Sequence, residues 1–228
     1  MSLFQKERIE KMSVFYIADT HFGHENMIKL TNRPFKTVEE MDKILIENWN
    51  KRVKGNDKVY ILGDMFFKTT GVCEILKQLK GEKHLILGNH DTSWIEEYEI
   101  VKKDEKGKKI KNTDTLSHKS YRFTETKEDV HPYFKSVNDI LQAGDKDVGF
   151  ILCHYPLLTW KHEKRLLMIH GHIHNNTKDL FFPIIANDER ILNAGVEING
   201  YMPVTLEEMK ENNKAFKERY KLENGTQA

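Results

Sequence analysis

Five short apolar runs of this chain each end in a carboxylate, a carboxamide or an imidazole, and this recurrence constrains the fold more than any other feature. The clearest run, residues 85–87, is followed directly by Gly88-Asn89-His90-Asp91. Short apolar runs bounded by glycine and polar residues predict buried strands. The other four apolar runs are followed by Asp19-Thr20-His21, Gly63-Asp64, His154 and Gly171-His172-Ile173-His174. Five strands are therefore expected to bring metal-binding side chains to one edge.

Two amphipathic segments separate the first three runs. Thr37 and Glu40 have the spacing of a capping box, and apolar residues then recur every three or four positions as far as Val53. This pattern predicts a helix of about four turns. A second helix is predicted at residues 72–79, before Gly81. Strands that alternate with helices are typical of layered α/β packing.

The second half of the chain has a weaker pattern. Residues 133–141 are predicted to be helical, and short strands are expected at residues 181–182 and 191–196. A second capping box, from Thr205 to Glu208, begins a predicted C-terminal helix over about residues 206–221. We interpret residues 1–228 as one domain with a core at about residues 13–205.

A basic segment interrupts the pattern at about residues 101–130. Between Val101 and Arg122 it contains eight Lys or Arg and three acidic residues. A solvated insertion or hairpin is the simpler interpretation. The alternative is a basic lid over an anionic substrate, because clustered positive charge attracts such ligands.

The bulk composition excludes several classes of protein. Of the 228 residues, 39% are hydrophobic, and no apolar run approaches the ~20 residues of a membrane helix. Because no secretory signal pattern opens the chain, a cytoplasmic location without membrane association is expected. The formal charge of +1 argues against a dedicated nucleic-acid coat protein. Cys73 and Cys153 are too few for a disulfide framework and are expected to be reduced.

The polar residues at the five predicted strand ends include the donors that hydrolytic metal sites use. Such sites combine carboxylate or amide oxygens with imidazoles and keep a position open for water or substrate. Seven candidates are too many for one catalytic ion, and they suit two ions that share a bridging carboxylate. The candidates are Asp19, His21, Asp64, Asn89, His154, His172 and His174.

The motifs resemble those of the calcineurin-like metallophosphoesterase family, in particular its small bacterial or phage-type members. The family pattern D-x-H, GD, GNH followed by D or E, H, and G-H-x-H occurs here in order, over about residues 14–205. The resemblance implies an α/β (α+β) fold of two packed mixed β-sheets flanked by helices, with the site at the carboxyl ends of strands. It also implies the metal ligands: Asp19, His21 and His174 for one ion, Asn89, His154 and His172 for the other, and Asp64 as the bridge.

The resemblance also implies a function, a dinuclear metal-dependent phosphoesterase. We expect a small anionic phosphate ester as substrate, with phosphodiesters favoured over monoesters. The expected mechanism is in-line attack by a metal-bound hydroxide, with His90 as general acid or phosphoryl stabiliser. The expected cofactors are two divalent ions, with Mn first and Fe, Zn, Ni or Mg as alternatives.

Three residues are candidates for substrate binding: His24, Arg33 and Asn89. His24 lies in the loop after the first strand and is either a phosphate contact or a hydrogen-bonded loop residue. Arg33 offers a planar fork that suits phosphate, with a surface or capping role as the alternative. Asp91 is expected to stabilise a turn or support a ligand rather than to bind metal itself.

Two other functions stay open. A nuclease acting on nucleic-acid ends or single strands is possible because of the basic segment, although nucleic acid is not the favoured partner, and it would show steep loss of binding with salt. A non-catalytic metal-dependent scaffold is also possible, because fold alone does not determine function. His90 argues against a scaffold, since a scaffold has no need of a proton donor beside the metals.

Overall fold

The computed structural model describes residues 12–67, 69–98, 119–144 and 148–225. The first elements are β1 (Val14–Ile17), α1 (Glu25–Leu30), α2 (Val38–Arg52), β2 (Lys58–Leu62), α3 (Val72–Gln78), β3 (Glu82–Ile86), β4 (Ile95–Tyr98) and β5 (Ser120–Phe123). They are followed by β6 (Ser136–Asn138), β7 (Ile140–Gly144), β8 (Gly149–Cys153), β9 (Leu166–His170), α4 (Phe182–Asn187), β10 (Ile191–Asn193) and α5 (Leu206–Glu223).

Two four-stranded sheets form the centre of the fold. The first has the order β1-β2-β3-β6, and all three pairings are parallel. The second has the order β10-β9-β8-β7 and is mixed, because β7 and β8 pair antiparallel. Tyr16 of β1 packs edge to face on Phe150 of β8, with ring centroids 5.6 Å apart. The predicted pair of packed sheets is therefore confirmed, with the refinement that the first sheet is parallel throughout its described strands.

Helices cover the outer faces of both sheets. Because side chains alternate between the two faces along each strand, one strand can pack against the other sheet and against a helix. In β1, Tyr16 faces the second sheet, whereas Phe15 and Ile17 face outward and join a core cluster with Trp49 of α2. Helices α4 and α5 cover the second sheet through a cluster that includes Phe182 and Phe216. Strands β1, β2, β8 and β9 are thus mostly buried, and polar ligand candidates follow at their carboxyl ends.

Local capping fixes where the two long helices begin. Thr37 accepts a hydrogen bond from the Glu40 backbone N–H at the start of α2. Thr205 and Glu208 form a complete capping box at the start of α5. An N-cap of this kind stabilises a helix by about 1 kcal/mol. Both predicted helix starts are confirmed.

Two predictions for the second half are wrong. Residues 133–141 are not helical, because β6 pairs with β3 in the first sheet and β7 pairs with β8 in the second. Backbone pairing with β3, which is distant in sequence, and with β8, which is the next strand, outweighs the local apolar spacing. Residues 181–182 do not form a strand, because Phe182 begins α4 and Pro183 occupies its first turn. Proline favours that position, where its missing N–H costs nothing.

Most of the basic segment, residues 99–118, lies outside the described residues. The part that is described includes β5, which pairs antiparallel with β4 and buries Tyr121 and Phe123. Lys119 contacts the carboxylates of Glu97 and Asp139 at 3.3 and 2.9 Å. This end of the segment is therefore one strand of an antiparallel pair, and the two alternatives, a solvated insertion or hairpin and a basic lid, stay predictions.

The described residues contain no helix long and apolar enough to cross a bilayer.

Candidate metal centre

The carboxyl ends of strands from both sheets meet at one place. Asp19 follows β1, and both of its carboxylate oxygens accept from the backbone N–H of His172, which follows β9, at 3.1 and 3.0 Å. Two groups of three candidate ligands result, and within each group one ligand atom per residue lies within 4.8 Å of the others. The first group is Asp19, His21 and His174, and the second group is Asp64, His154 and His172.

The backbone around these ligands is strained. Among the described residues other than glycine, nine have a positive φ, and five of them belong to the two groups: Asp19, His21, Asp64, His172 and His174. Each such residue costs about 1–2 kcal/mol relative to an ordinary conformation. Strain of this kind persists only where the surrounding structure imposes it, and it clusters at functional sites.

Two glycines allow the ligand loops to approach each other closely. A Cβ at Gly63, where φ is +82°, would lie 2.3 Å from Nδ1 of His154. A Cβ at Gly88 would lie 2.3 Å from Oδ1 of Asp64. Both glycines sit in the motifs that predicted the site, and the packing explains why no larger residue fits there.

Asp91 joins two of the ligand loops. Its carboxylate accepts from the backbone N–H groups of Asp64, Met65 and Gly88 at 2.8–2.9 Å, and from Nε1 of Trp94 at 2.9 Å. The side chain is fully buried. Asp91 thus stabilises the turns on either side of it, as the sequence predicted, and takes no place in either ligand group.

The first group is supported by a buried ion pair. Nδ1 of His174 donates to Oε1 of Glu197 at 3.0 Å, and Nη2 of Arg33 donates to the same oxygen at 2.7 Å. The side chains of Arg33 and Glu197 are both fully buried. Burial raises the pKa of Glu197, but His174 and Arg33 outweigh it and hold the pKa at about 2. The ionised carboxylate therefore keeps the proton of His174 on Nδ1 and leaves Nε2 free for a metal ion.

Arg33 also ties this support to the loop after β1. It donates to the backbone carbonyls of Asp19 at 2.8 Å and Thr20 at 2.9 Å. Its donors are thus used inside the protein, and this contradicts the prediction that Arg33 binds substrate. Sequence reasoning missed Glu197 altogether. Its position just after the strand predicted at residues 191–196 was the available signal, because the candidate ligands also follow predicted strands.

The second group converges on one nitrogen of His154. Nδ1 of His154 donates to the backbone carbonyl of Leu62 at 2.8 Å, so Nε2 faces the other groups. Oδ1 of Asn89 and Oδ2 of Asp64 lie 3.2 and 3.4 Å from that nitrogen. Burial lowers the pKa of His154, but Asp64 and Asp19 outweigh it and raise the pKa to about 9. The surroundings of this nitrogen therefore favour a cation.

His21 gives a separate test of whether the residues fit a metal ion. The side chain is fully buried, and its Nε2 has no hydrogen-bond partner, with Oδ2 of Asp64 3.7 Å away. Burial, with His174 beside it, lowers the pKa of His21 to about 2, so the ring is neutral. A buried nitrogen without a partner is costly, and a divalent ion would supply the missing bond. The donors of both groups fit divalent cations.

His90 and His24 lie beside the first group. The backbone N–H of His90 donates to Oδ1 of Asp64 at 2.8 Å, and its half-buried ring lies 5.2 Å from that of His21. Nδ1 of His24 lies 3.3 Å from Nδ1 of His21, and the ring stacks on Phe67. Burial, with His90 nearby, lowers the pKa of His24 to about 4. The structure brings both histidines to the site, and their roles stay predictions.

Comparison with known proteins gives a family and several relatives. The family model described as calcineurin-like phosphoesterase matches residues 12–183. The uncharacterized protein MJ1445 of Methanocaldococcus jannaschii is 32% identical over 197 residues, covering 85% of this chain and 87% of that protein. The gene 66 protein of Mycobacterium phage L5 is 36% identical over 83 residues, covering 35% of this chain and 40% of that protein.

One solved structure is also similar. It is the crystal structure of the protein of unknown function AQ665 from Aquifex aeolicus, with a TM-score of 0.58 and 24% sequence identity. The similarity covers 88% of this chain and 99% of that one. At this level of identity the similarity concerns the fold alone.

Proposed function

The chain belongs to the calcineurin-like phosphoesterase family, and we propose that it hydrolyses a phosphodiester bond in a small anionic substrate with two divalent metal ions. Membership implies a metal-dependent hydrolase of phosphate esters. The observation that carries the proposal is the presence of two adjacent groups of three candidate ligands, each with its ligand atoms within 4.8 Å. Two neighbouring ions suit displacement at phosphorus, since one can serve each side of the reaction.

Asp64 is the proposed bridging ligand. Its Oδ2 lies 3.7 Å from Nε2 of His21 and 3.4 Å from Nε2 of His154, so one carboxylate oxygen faces a ligand of each group. Asn89 is proposed as a further ligand on the side of His154. Divalent ions at these residues would make a nucleophilic water available near neutral pH and neutralise charge on the phosphoryl oxygens. We propose Mn as the first ion to test, because mixed imidazole and carboxylate ligands accept several metals.

His90 is the proposed acid. Its backbone bond to Asp64 holds it next to both groups, and its half-buried ring is available to a substrate. A protonated imidazole at this place would donate to the departing ester oxygen or stabilise the phosphoryl group. Since His90 belongs to neither ligand group, its loss is expected to reduce turnover and leave metal binding intact.

A phosphodiester suits the charge of the site better than a monoester. A diester carries one negative charge, whereas a monoester carries about two near neutral pH. Arg33 adds no positive charge at the surface of the site, because Glu197 neutralises it in the interior. The metal ions would then supply most of the positive charge that meets the substrate.

The test is hydrolysis of bis(p-nitrophenyl) phosphate and p-nitrophenyl phosphate by metal-stripped protein, before and after Mn²⁺ is restored. We expect turnover only with metal, and more with the diester. Asp64→Asn should lose both metal and turnover. His90→Ala should bind two ions and turn over about 10²–10⁴-fold more slowly, the usual contribution of a general acid. His131→Ala is the control, because His131 is exposed and contacts Asp129.

Two results would contradict the proposal and favour another function. If the protein binds two ions but hydrolyses neither ester with any divalent metal, the non-catalytic scaffold gains support. If single-stranded oligonucleotides bind and their affinity falls steeply with salt, the nuclease alternative gains support.

A further inference from the structure

Two exposed aromatic side chains flank the candidate metal centre. Across residues 12–67, 69–98, 119–144 and 148–225, Phe67 and Tyr155 are the only Phe, Tyr or Trp residues that are exposed, each by 44%. Phe67 contacts His24 and His90, whereas Tyr155 contacts His154 and His172. Single exposed apolar residues are ordinary, but two aromatic rings at one site require a reason.

Phe67 lies on the side of His24 and His90. Its ring is nearly parallel to the ring of His24, with centroids 3.6 Å apart, and lies 5.7 Å from the ring of His90. The preceding residue, Phe66, is fully buried and packs on Trp94. Phe66 thus provides the packing at this point of the chain, and the core does not need the ring of Phe67.

Tyr155 lies beside the second group. Its ring contacts those of His172 and His154 edge to face, with centroids 4.7 and 5.1 Å apart. It follows His154 directly, so the backbone that carries this ligand also places the ring at the rim. Each of the two ligand groups therefore has one exposed aromatic ring near it.

We propose that Phe67 and Tyr155 are stacking surfaces for the two ester groups of the substrate, and that both ester groups carry nucleobases. The inference rests on the proposed phosphodiesterase function and names its substrate class, a dinucleotide. A phosphodiester centred on two ions directs one ester group to each side of the site. Aromatic side chains bind bases of any sequence by stacking, and each contact contributes about tenfold or more to affinity.

The structure and composition favour a short, unpaired substrate. Bases in a duplex stack on each other and are not accessible to rings at the rim of a site. Long nucleic acids are bound largely through positive charge, and this chain has a formal charge of only +1. Arg122 at the described end of the basic segment is paired with Glu96 at 2.7 Å.

The experiment compares two diesters that share one leaving group, thymidine 5′-(p-nitrophenyl phosphate) and methyl p-nitrophenyl phosphate. The measured quantity is the ratio of kcat/KM for the thymidine ester to kcat/KM for the methyl ester. We expect a high ratio in the wild-type protein, and a fall of about tenfold in the variant whose ring stacks the thymine, Phe67→Leu or Tyr155→Leu. Tyr155→Phe keeps the ring and should keep the ratio. Leu158→Ala, an exposed apolar residue nearby in sequence, is the control.

A binding measurement separates failure of the inference from failure of the proposed function. The phosphorothioate analogue of a thymidine dinucleotide is titrated into metal-loaded protein by calorimetry, and each Leu variant should weaken its binding by about tenfold. Hydrolysis of both esters with the same ratio in the wild type and the variants would overturn the inference and leave the function standing. No hydrolysis would overturn the function. Dinucleotide binding that depends on both rings would then still support the inference, and absence of binding would overturn it.

Discussion

The two ligand groups differ in how they are held. In the first group, Asp19 and His21 are fully buried, and His174 is fixed by the Arg33–Glu197 ion pair. In the second group, His172 is exposed, and His154 is oriented by a main-chain carbonyl. Two residues of each group are buried, so the difference is that the first group is supported by a charged pair, whereas the second orients His154 through the backbone and has one exposed ligand, His172. We expect the first ion to bind tightly and the second to exchange faster.

Arg33→Met tests the buried Arg33–Glu197 pair directly and should give the largest effect. It leaves the buried Glu197 with the hydrogen bond from His174 but without the guanidinium, and the loss of one partner of a buried ion pair costs about 3–5 kcal/mol of unfolding free energy. Arg122→Met is the matched control, because the Arg122–Glu96 pair is about one third exposed and should contribute less than about 1 kcal/mol. Urea denaturation of both variants measures the difference. Equal losses would show that the buried pair does not hold the site.

Glu197→Gln should lower only the affinity of the first ligand group for its metal ion. The amide keeps the shape of the side chain but removes the charge that holds the proton on Nδ1 of His174. Loss of such a supporting carboxylate typically weakens metal binding 10–100-fold. Calorimetric titration with Mn²⁺ should show one weakened site and one unchanged site, and Glu96→Gln should change neither. Equal weakening of both sites would remove the distinction between the groups.

Gly63→Ala should instead lower the metal affinity of the second ligand group. The new Cβ would meet Nδ1 of His154, and the positive φ adds strain, so a cost of about 1–3 kcal/mol is expected. Gly55→Ala is the control, because a Cβ there meets nothing within 4 Å. We expect a lower affinity for one ion and the loss of the bond from His154 to Leu62. Unchanged binding of both ions would show that His154 is not a ligand.

Removal of the metals should reveal a pH dependence that comes from His154. Because its pKa in the folded protein, about 9, is above the ordinary 6.5, its contribution to stability is complete below pH 6.5 and is lost as the pH rises through 9. The difference in unfolding free energy between the metal-free wild-type protein and His154→Gln should therefore shrink over this range. A constant difference would contradict the assignment. Restored metal should abolish the pH dependence, because the ion takes the place of the proton.

The candidate ligands were predictable from the sequence because each lies just after a run whose composition already indicates a strand, whereas their division into two groups was implied by the family resemblance. Glu197 was missed because its partners are distant in sequence: it accepts from His174, 23 positions before it, and from Arg33, 164 positions before it. No local pattern reports a pairing of that length. The same limit explains part of the wrong helix at residues 133–141, since β6 pairs with the distant β3, whereas the pairing of β7 with β8, the next strand, is close in sequence and was missed. Packing also changed the interpretation of Arg33, because a sequence shows a guanidinium but not whether it is buried.

The Arg33–Glu197 pair also affects when the site can form during synthesis. The loop after β1 leaves the ribosome early, but Glu197 is made 164 residues after Arg33. Domains fold largely as units once their distant contacts become available. A nascent chain that ends at residue 190 should therefore bind the first ion poorly, and metal titration of that truncated chain would test this. The distant carboxylate would then delay metal loading until nearly the whole domain has emerged, so that the early histidines do not capture ions in an unfolded chain.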